Sequence, residues 1–411
     1  MLVRDLLAGK DLGILDKLTV LVIPVFNPDG NDAMDTRNRG LDLARLSGQD
    51  GPPKVGTRVN AAGINLNRDY IRHDALEMRL LQTRVCQVWE PDLTLDTHAT
   101  NGSVHRFAMT VDIPHTVASG RSEPIAYMRD TLVPEVTRAV KANYGLDSGW
   151  YGNFVEDERV LDAGGVADPD SAVREGWMTY PHYPRFGSNY RGLTGRLDLL
   201  LECYSYLGYE ERVRTSYAWL SETLRAAASR ADAIRGLIAA CRTPPDRIAV
   251  RYALRSLDET IEILTRRPRS RDGAPETVRI PHIGRFEGTC VVERPRAYIV
   301  PGSLAPFLRG HGLHLQPAPA RATVDVARFE GAEREAGRAI LEAGGVGHRQ
   351  VSWTREDRAL PPDALLLPTD QPLGALAVYL AEPESDDGLV ENGLSPTPTL
   401  GGEFAVARWV E

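Results

Sequence analysis

Arg58 stands nine positions ahead of the pair Asn67-Arg68, across a turn that contains Gly63. Two guanidiniums and an amide are thereby gathered near one loop, and an arginine fork binds a carboxylate through two parallel N–H···O bonds. The same residues also suit a surface loop of an arginine-rich chain, since only Lys10, Lys17, Lys54 and Lys141 of its 48 basic residues are lysine. Asp96-Thr97-His98 closes a short apolar stretch. Open α/β sheets bind ligands at the carboxyl ends of their strands, so a histidine there serves as a ligand, a base or a structural residue. Glu202 directly follows Leu197-Asp198-Leu199-Leu200-Leu201. A carboxylate on so apolar a stretch is costly to bury alone. It requires an arginine, a metal or a catalytic task, unless the strand end emerges into solvent.

These residues need a frame to position them. Residues 18–26 (LTVLVIPVF) form a continuous apolar run rich in valine, which predicts a strand buried on both faces. Asn27-Pro28-Asp29-Gly30 breaks that run with strong turn chemistry. Residues 31–62 are polar, rich in Gly and Arg, and read as a long functional or disordered loop. Apolar spacing predicts helices over 74–89, 124–144 and 210–241, the last with Val213, Tyr217, Leu220 and Leu224 on one face. Short strands are predicted at 92–97 and 197–201, and residues 145–196 are loop-rich and aromatic. Strands alternating with helices predict an α/β fold over residues 1–241, a mostly parallel mixed sheet with helices on both faces. A linker is expected at 242–275, basic and exposed at 266–273. Residues 276–411 turn to short strands and turns, which predicts a smaller mixed or β-rich C-terminal domain. Its run Glu382, Glu384, Asp386, Asp387 reads as an acidic exposed turn, because no calcium-loop spacing accompanies it.

Composition removes several classes of function. The 411 residues carry a net charge of −8, which argues against nucleic acid as the main partner. No apolar stretch is long enough for a membrane span. Cys86, Cys203, Cys241 and Cys290 lie far apart, which excludes a disulfide-dense scaffold and a cysteine-based zinc ribbon.

Four segments in order, VIPVFNPDG (22–30), GTRVNAAGINLNRDY (56–70), LDTHATNGS (95–103) and FGSNYRGLTGRLDLLLECYSY (186–206), resemble the zinc carboxypeptidase family. That family, the metallocarboxypeptidases, also includes aspartoacylase-like deacylases, and the likeness covers residues 1–240. The resemblance implies a zinc ion, with His98 as one ligand. It implies Glu202 as the general base, and Arg58 as the group that polarises the scissile carbonyl. It implies Asn67 and Arg68 as the binders of the substrate's terminal carboxylate. A tyrosine often closes over the substrate in this family. Tyr190 is the expected one, with Tyr180 and Tyr183 as weaker choices. Arg185 and Arg196 flank the same segment and are expected to add carboxylate contacts. The substrate implied is a peptide or N-acyl amino acid with a free carboxylate, which leaves carboxypeptidase and deacylase or amidase readings open.

The family's defining His-x-x-Glu, which supplies two further zinc ligands, belongs ahead of residues 18–26 and is not there. His73 and Glu77 share a helical face but follow the Asn-Arg pair, and are expected to be an exposed His and Glu. Two expectations follow. Either the sequence has lost an N-terminal segment carrying the motif, so that residues 1–13 are the latter part of a helix, or the chain binds carboxylates without hydrolysis. The first is preferred, because the rest of the implied apparatus is intact. Either way, weak zinc binding and no peptidase activity are expected of these 411 residues.

Overall fold

A computed structural model describes residues 1–10, 13–168, 170, 171, 174–334 and 347–410. The chain folds as mixed α/β, with mixed sheets and helices. Its first sheet holds β1 (Leu93–Thr100), β2 (Met109–Asp112), β3 (Ser148–Trp150) and β4 (Leu197–Tyr204), in the order β1-β4-β2-β3. β1 and β4 run parallel, β2 runs antiparallel to β4, and β3 is parallel to β2. The neighbouring helices are α1 (Leu2–Leu7), α2 (Val133–Tyr144), α3 (Gly187–Leu193), α4 (Tyr209–Ser229) and α5 (Ala231–Ala240).

Side-chain alternation sorts this sheet into two unlike faces. Leu197, Leu199, Leu201 and Cys203 of β4 join Met109 and Val111 of β2 in one buried cluster, sealed by Val136 and Val140 of α2 and Trp219 of α4. The helix expected over 210–241 is two helices, because Arg230 leaves the helical region at φ −121° and ψ 18°. Glu211 caps the start of α4 by accepting the Gly208 N–H at 3.0 Å.

The apolar run 18–26 is not the buried strand its composition predicts. It is extended without a ladder, and Leu21, Val22, Ile23 and Val25 are 40%, 51%, 47% and 45% exposed. Leu18 and Val20 turn inward, toward Leu6, Ile14, Leu224 and Leu95, and Phe26 packs against the cluster of Leu66 and Tyr70. A strand is made by its neighbours, and no described residue pairs with this run. β1 likewise pairs with β4 and has no second ladder among the described residues.

Residues 242–275 are not a linker. They carry β5 (Arg247–Arg255), whose Ile248, Ala249 and Val250 are fully buried, and β6 (Thr260–Arg267). β6 pairs with β7 (Ala274–Ile283), and β7 runs beside Trp177–Met178 in parallel. β5 pairs with β8 (Arg285–Glu293). Arg269, in the basic stretch expected to be exposed, is buried against Asp157.

Beyond lie β9 (Ala297–Val300), α6 (Ala305–Gly310), β10 (Arg321–Arg334), β11 (Gly347–Ala359), β12 (Leu365–Pro368), α7 (Gly374–Ala381) and β13 (Glu403–Trp409). Together with Gln316–Pro317, the strands β12, β9, β13, β10 and β11 form a six-stranded sheet, so the C-terminal part is β-rich. A single apolar cluster joins Tyr70, Met78 and Tyr190 to Ile248, Tyr298, Leu376 and Tyr379, so the two parts share a core. Among the described residues no helix is long and apolar enough to cross a membrane.

The acidic run is not an exposed turn. Glu382, Asp386 and Asp387 are buried. Glu382 accepts from Arg408 Nη2 at 2.8 Å and Tyr298 Oη at 2.5 Å, and Asp386 lies 2.6 Å from His182 Nε2. Each carboxylate is carried inward by a partner remote in sequence.

Candidate functional site

The polar face of the first sheet lies opposite the apolar one. In register, His98 of β1 stands beside Glu202 of β4, Asp96 beside Leu200, and Thr94 beside Asp198. On the other flank of β4, Thr110 stands beside Glu202 and Asp112 beside Leu200. The period of two therefore places Asp96, His98, Asp112, Asp198 and Glu202 on one surface.

These groups feel one another. His98 Nε2 lies 3.0 Å from Asp96 Oδ1, an ion-pair distance without the alignment of a hydrogen bond, and both side chains are half-buried. Burial pulls the His98 imidazole down, but Asp96 and then Glu202 outweigh it and raise its pKa to about 9. Burial raises the Glu202 carboxyl above its ordinary value against the pull of His98. Burial, and then Asp96, lift Asp198 to about 7. Ser188 Oγ of α3 donates to Asp198.

Two loops bring the arginines. The turn at residues 27–30 and the strip at 56–58 pack back to back. Thr57 N donates to Gly30 O at 2.8 Å, and Asn27 Nδ2 to Arg58 O at 3.2 Å. A Cβ at Gly56 would stand 2.0 Å from Gly30 O, so this contact requires glycine. It sets Arg58 where its charge acts on both His98 and Glu202. The Arg58 guanidinium makes no hydrogen bond or ion pair among the described residues. Asn67 Oδ1 accepts from Gly187 N at 2.9 Å and so anchors the start of α3. Arg68 donates to Asn67 O at 2.6 Å, and its guanidinium lies over the Phe186 ring, 3.7 Å from the centroid. Tyr180, Phe186 and Leu200 form the apolar floor, with Tyr151 and Tyr183 against it.

Comparisons of the chain with family models, with curated proteins and with solved structures each return no match.

The structure brings Arg58, Asn67, Arg68, His98 and Glu202 to the same end of the β1–β4 pair. Three other expected residues are engaged elsewhere. Tyr190 is 1% exposed, and its hydroxyl meets His311 Nδ1 at 2.8 Å against the C-terminal part. Arg185 holds Asp387 through Nε at 2.7 Å and Nη2 at 2.6 Å. Arg196 precedes β4 at its opposite end, next to Glu90 at 3.3 Å and Asp92 at 3.6 Å, roughly 20 Å along the strand from Glu202. Of the weaker tyrosine choices, Tyr180 belongs to the buried floor, its hydroxyl 3.4 Å from Ile113 O. His73 is not exposed either. It is buried and stacked on His311, with ring centroids 3.9 Å apart, while Glu77 accepts from Asn60.

Two residues went unremarked in the sequence. Tyr151 is half-buried against the floor of Tyr180 and Phe186, and burial followed by the Glu202 charge raises its hydroxyl pKa. Its signal was the aromatic density of 145–196. Arg39, in the polar loop 31–62, acts on Glu202 together with Arg58. Nothing in its sequence context separates it from other arginines.

A catalytic zinc takes three protein ligands and keeps a position open for water. Among the described residues no three His, Cys, Asp or Glu side chains are grouped to hold a metal ion. His98 Nε2 lies within ion-pair distance of Asp96 Oδ1, and no second and third ligand stand grouped with it among the described residues. The described residues therefore do not complete a zinc site.

Proposed function

We propose that this chain is a carboxypeptidase-type hydrolase domain that binds a peptide or N-acyl amino acid by its free carboxylate. The observation that carries the reading is the pairing of His98 with Glu202 across two parallel strands, with the unpaired charge of Arg58 acting on both. In this reading Arg68, steadied by Phe186, takes the terminal carboxylate. Asn67 sets the segment that carries it. Arg58 faces the carbonyl and stabilises the negative charge that develops there. Glu202, its pKa raised by burial, accepts a proton from the attacking water and passes it to the amine nitrogen as the C–N bond breaks.

That no three metal-ligating side chains are grouped among the described residues favours a second reading, in which the site binds carboxylates without cleaving them. Calorimetry with N-acetyl-Ala-Ala and its C-terminal amide tests both. The acid is expected to bind about tenfold tighter than the amide, and Arg68→Ala to remove that preference. Equal affinity for acid and amide refutes both readings. Turnover of the acid that Glu202→Gln abolishes while binding remains selects the hydrolase; binding without turnover, with zinc added, selects the second reading.

A further inference from the structure

Two strips of backbone hold the Arg68 guanidinium, and both are fastened to one segment of the C-terminal part. The first strip, residues 182–187, carries Phe186. The Phe186 ring lies under the guanidinium, 3.7 Å from centroid to Cζ, and shares a buried cluster with Leu200 of β4, two residues before Glu202. The second strip, residues 66–72, carries Arg68 itself. The two strips touch directly. Asn67 Oδ1 accepts from Gly187 N at 2.9 Å, and Tyr70 N donates to Arg185 O at 3.4 Å. A Cβ at Gly187 would stand 2.8 Å from the Tyr70 ring, so this approach requires glycine. Neither strip has much regular structure of its own. Residues 182–186 are neither helix nor strand, and residues 66–68 form a single short turn.

The segment that fastens them is 386–392. Asp387 is buried, and its oxygens accept from Arg185 N at 2.6 Å, Arg185 Nε at 2.7 Å and Arg185 Nη2 at 2.6 Å. Such a fork on a carboxylate fixes direction as well as distance. Beside it, Asp386 Oδ2 lies 2.6 Å from His182 Nε2, at the other end of the same strip. Asn392 Nδ2 locks the segment on itself, donating to Asp387 O at 2.9 Å, Asp387 Oδ1 at 3.0 Å and Gly388 O at 3.0 Å. The Asn392 carbonyl then accepts from Arg72 Nη1, four residues beyond Arg68. One turn of the C-terminal part thus ties the strip beneath the guanidinium and the strip that bears it, across 202 and 320 residues of sequence. A guanidinium held in place before its ligand arrives binds more tightly than one that must be ordered on binding.

We propose that Asp387 and the Asn392 carbonyl are positioning groups for Arg68, through which the C-terminal part sets the geometry of the carboxylate site. The ligand assigned to Arg68 rests on the reading given above; the dependence of Arg68 on these two ties does not.

Two substitutions in the full chain cut the ties separately. Asp387→Asn takes the charge from the Arg185 fork. Arg72→Gln removes the donor to Asn392 O; the Arg72 side chain is 43% exposed, so this variant strands no buried charge and keeps the fold. The first readout needs no ligand: phenylglyoxal modification of Arg68, followed by peptide mass spectrometry with Arg58 as the internal reference. Each substitution is expected to speed modification of Arg68 about fivefold relative to Arg58, the effect of losing one hydrogen bond's net contribution. The second readout is calorimetry with N-acetyl-Ala-Ala and its C-terminal amide. The acid preference of about tenfold is expected to fall to about twofold, with the affinity for the amide unchanged. A merely structural role would lower the melting temperature and leave both readouts as they are. Unchanged Arg68 reactivity in both variants overturns the proposal, as does an acid preference that survives both; if Asp387→Asn does not fold, Arg72→Gln alone decides. If Arg68 reactivity rises while the unsubstituted chain binds acid no better than amide, the positioning stands and the terminal-carboxylate reading fails.

Discussion

The same residue types, arginine, histidine and acid, do opposite work at two places in this molecule. Where the first sheet meets the C-terminal part, the charges close on one another. His182 meets Asp386 at 2.6 Å, Tyr379 and the Tyr252 N–H bond the same carboxylate, and Arg185 grips Asp387. At the ends of β1 and β4, Arg39 and Arg58 make no side-chain hydrogen bond or ion pair among the described residues, while Glu202 is held above its ordinary pKa. A buried charge whose lone pairs and protons are all used is architecture. Charges gathered and left open are capacity for a ligand. The difference separates Arg185 from Arg58 better than their chemistry or their distance in sequence from Glu202.

The largest effect should come from breaking the closed region. Asp386 is 2% exposed, and Asp386→Ala leaves His182 and the Tyr252 N–H without their acceptor. The expected loss is about 3–5 kcal/mol in urea unfolding. Arg58→Gln at the open region should change stability by about 0.5 kcal/mol or less, because no contact is lost. Comparable losses for the two substitutions would erase the distinction.

Acid should act on the closed region next. Burial lowers the His73 pKa from 6.5 to about 4 and that of His105 to about 3, and burial with the proximity of His73 lowers His311 as well. Arg79 adds to the lowering at His73, and Asp74 opposes it. The folded chain keeps these rings neutral while the unfolded chain protonates them below pH 6.5. The contribution of these rings is therefore full above pH 6.5 and falls as pH drops from 6.5 toward 4, while Asp198, raised to about 7, works in the opposite direction over the same range. His73 alone contributes about 3 kcal/mol across that window. Urea midpoints between pH 7.5 and 4.5, compared between the unsubstituted chain and His73→Asn, should differ in slope by one proton. Equal slopes would mean that this ring is hydrated in solution and the contact is open.

What the residues announced in advance follows the same divide. Glu202 was legible because an acid after LDLLL is costly and needs a purpose. His98 was legible as a polar residue at a strand end. Both are local facts. Tyr190, Arg185 and Arg196 were chosen because they lie near Glu202 in sequence, and that criterion failed. The partners that claim Tyr190 and Arg185 lie 121 and 202 residues away. The acidic run 382–387 was misread for the same reason, since Arg408 and His182 are invisible to a local view. Arg39 was hidden differently, because what marks it is a left-handed backbone at φ +47°, which no sequence pattern announces.

The run 18–26 sharpens the comparison from a third side, and its expected effect on folding is the smallest. Its side chains are as apolar as those of β4, yet β4 is a buried strand and the run is exposed. The difference lies in the neighbours, since β4 has a ladder on each side and the run has none among the described residues. Leu18 and Val20 share a cluster with Leu95 of β1, which places this bare extended segment near a strand with an open edge. Such a pairing of exposed backbone and apolar side chains promotes association between chains. Ile23→Lys should therefore leave the melting temperature within about 2 °C. It should lower the concentration dependence of the sedimentation coefficient, because it charges a side chain that touches solvent and not the core. Unchanged self-association would show that the run is covered in solution by a surface the described residues do not include. A loss of several degrees would show that it packs inward after all, and either result would move it from the open regions of this molecule to the closed ones.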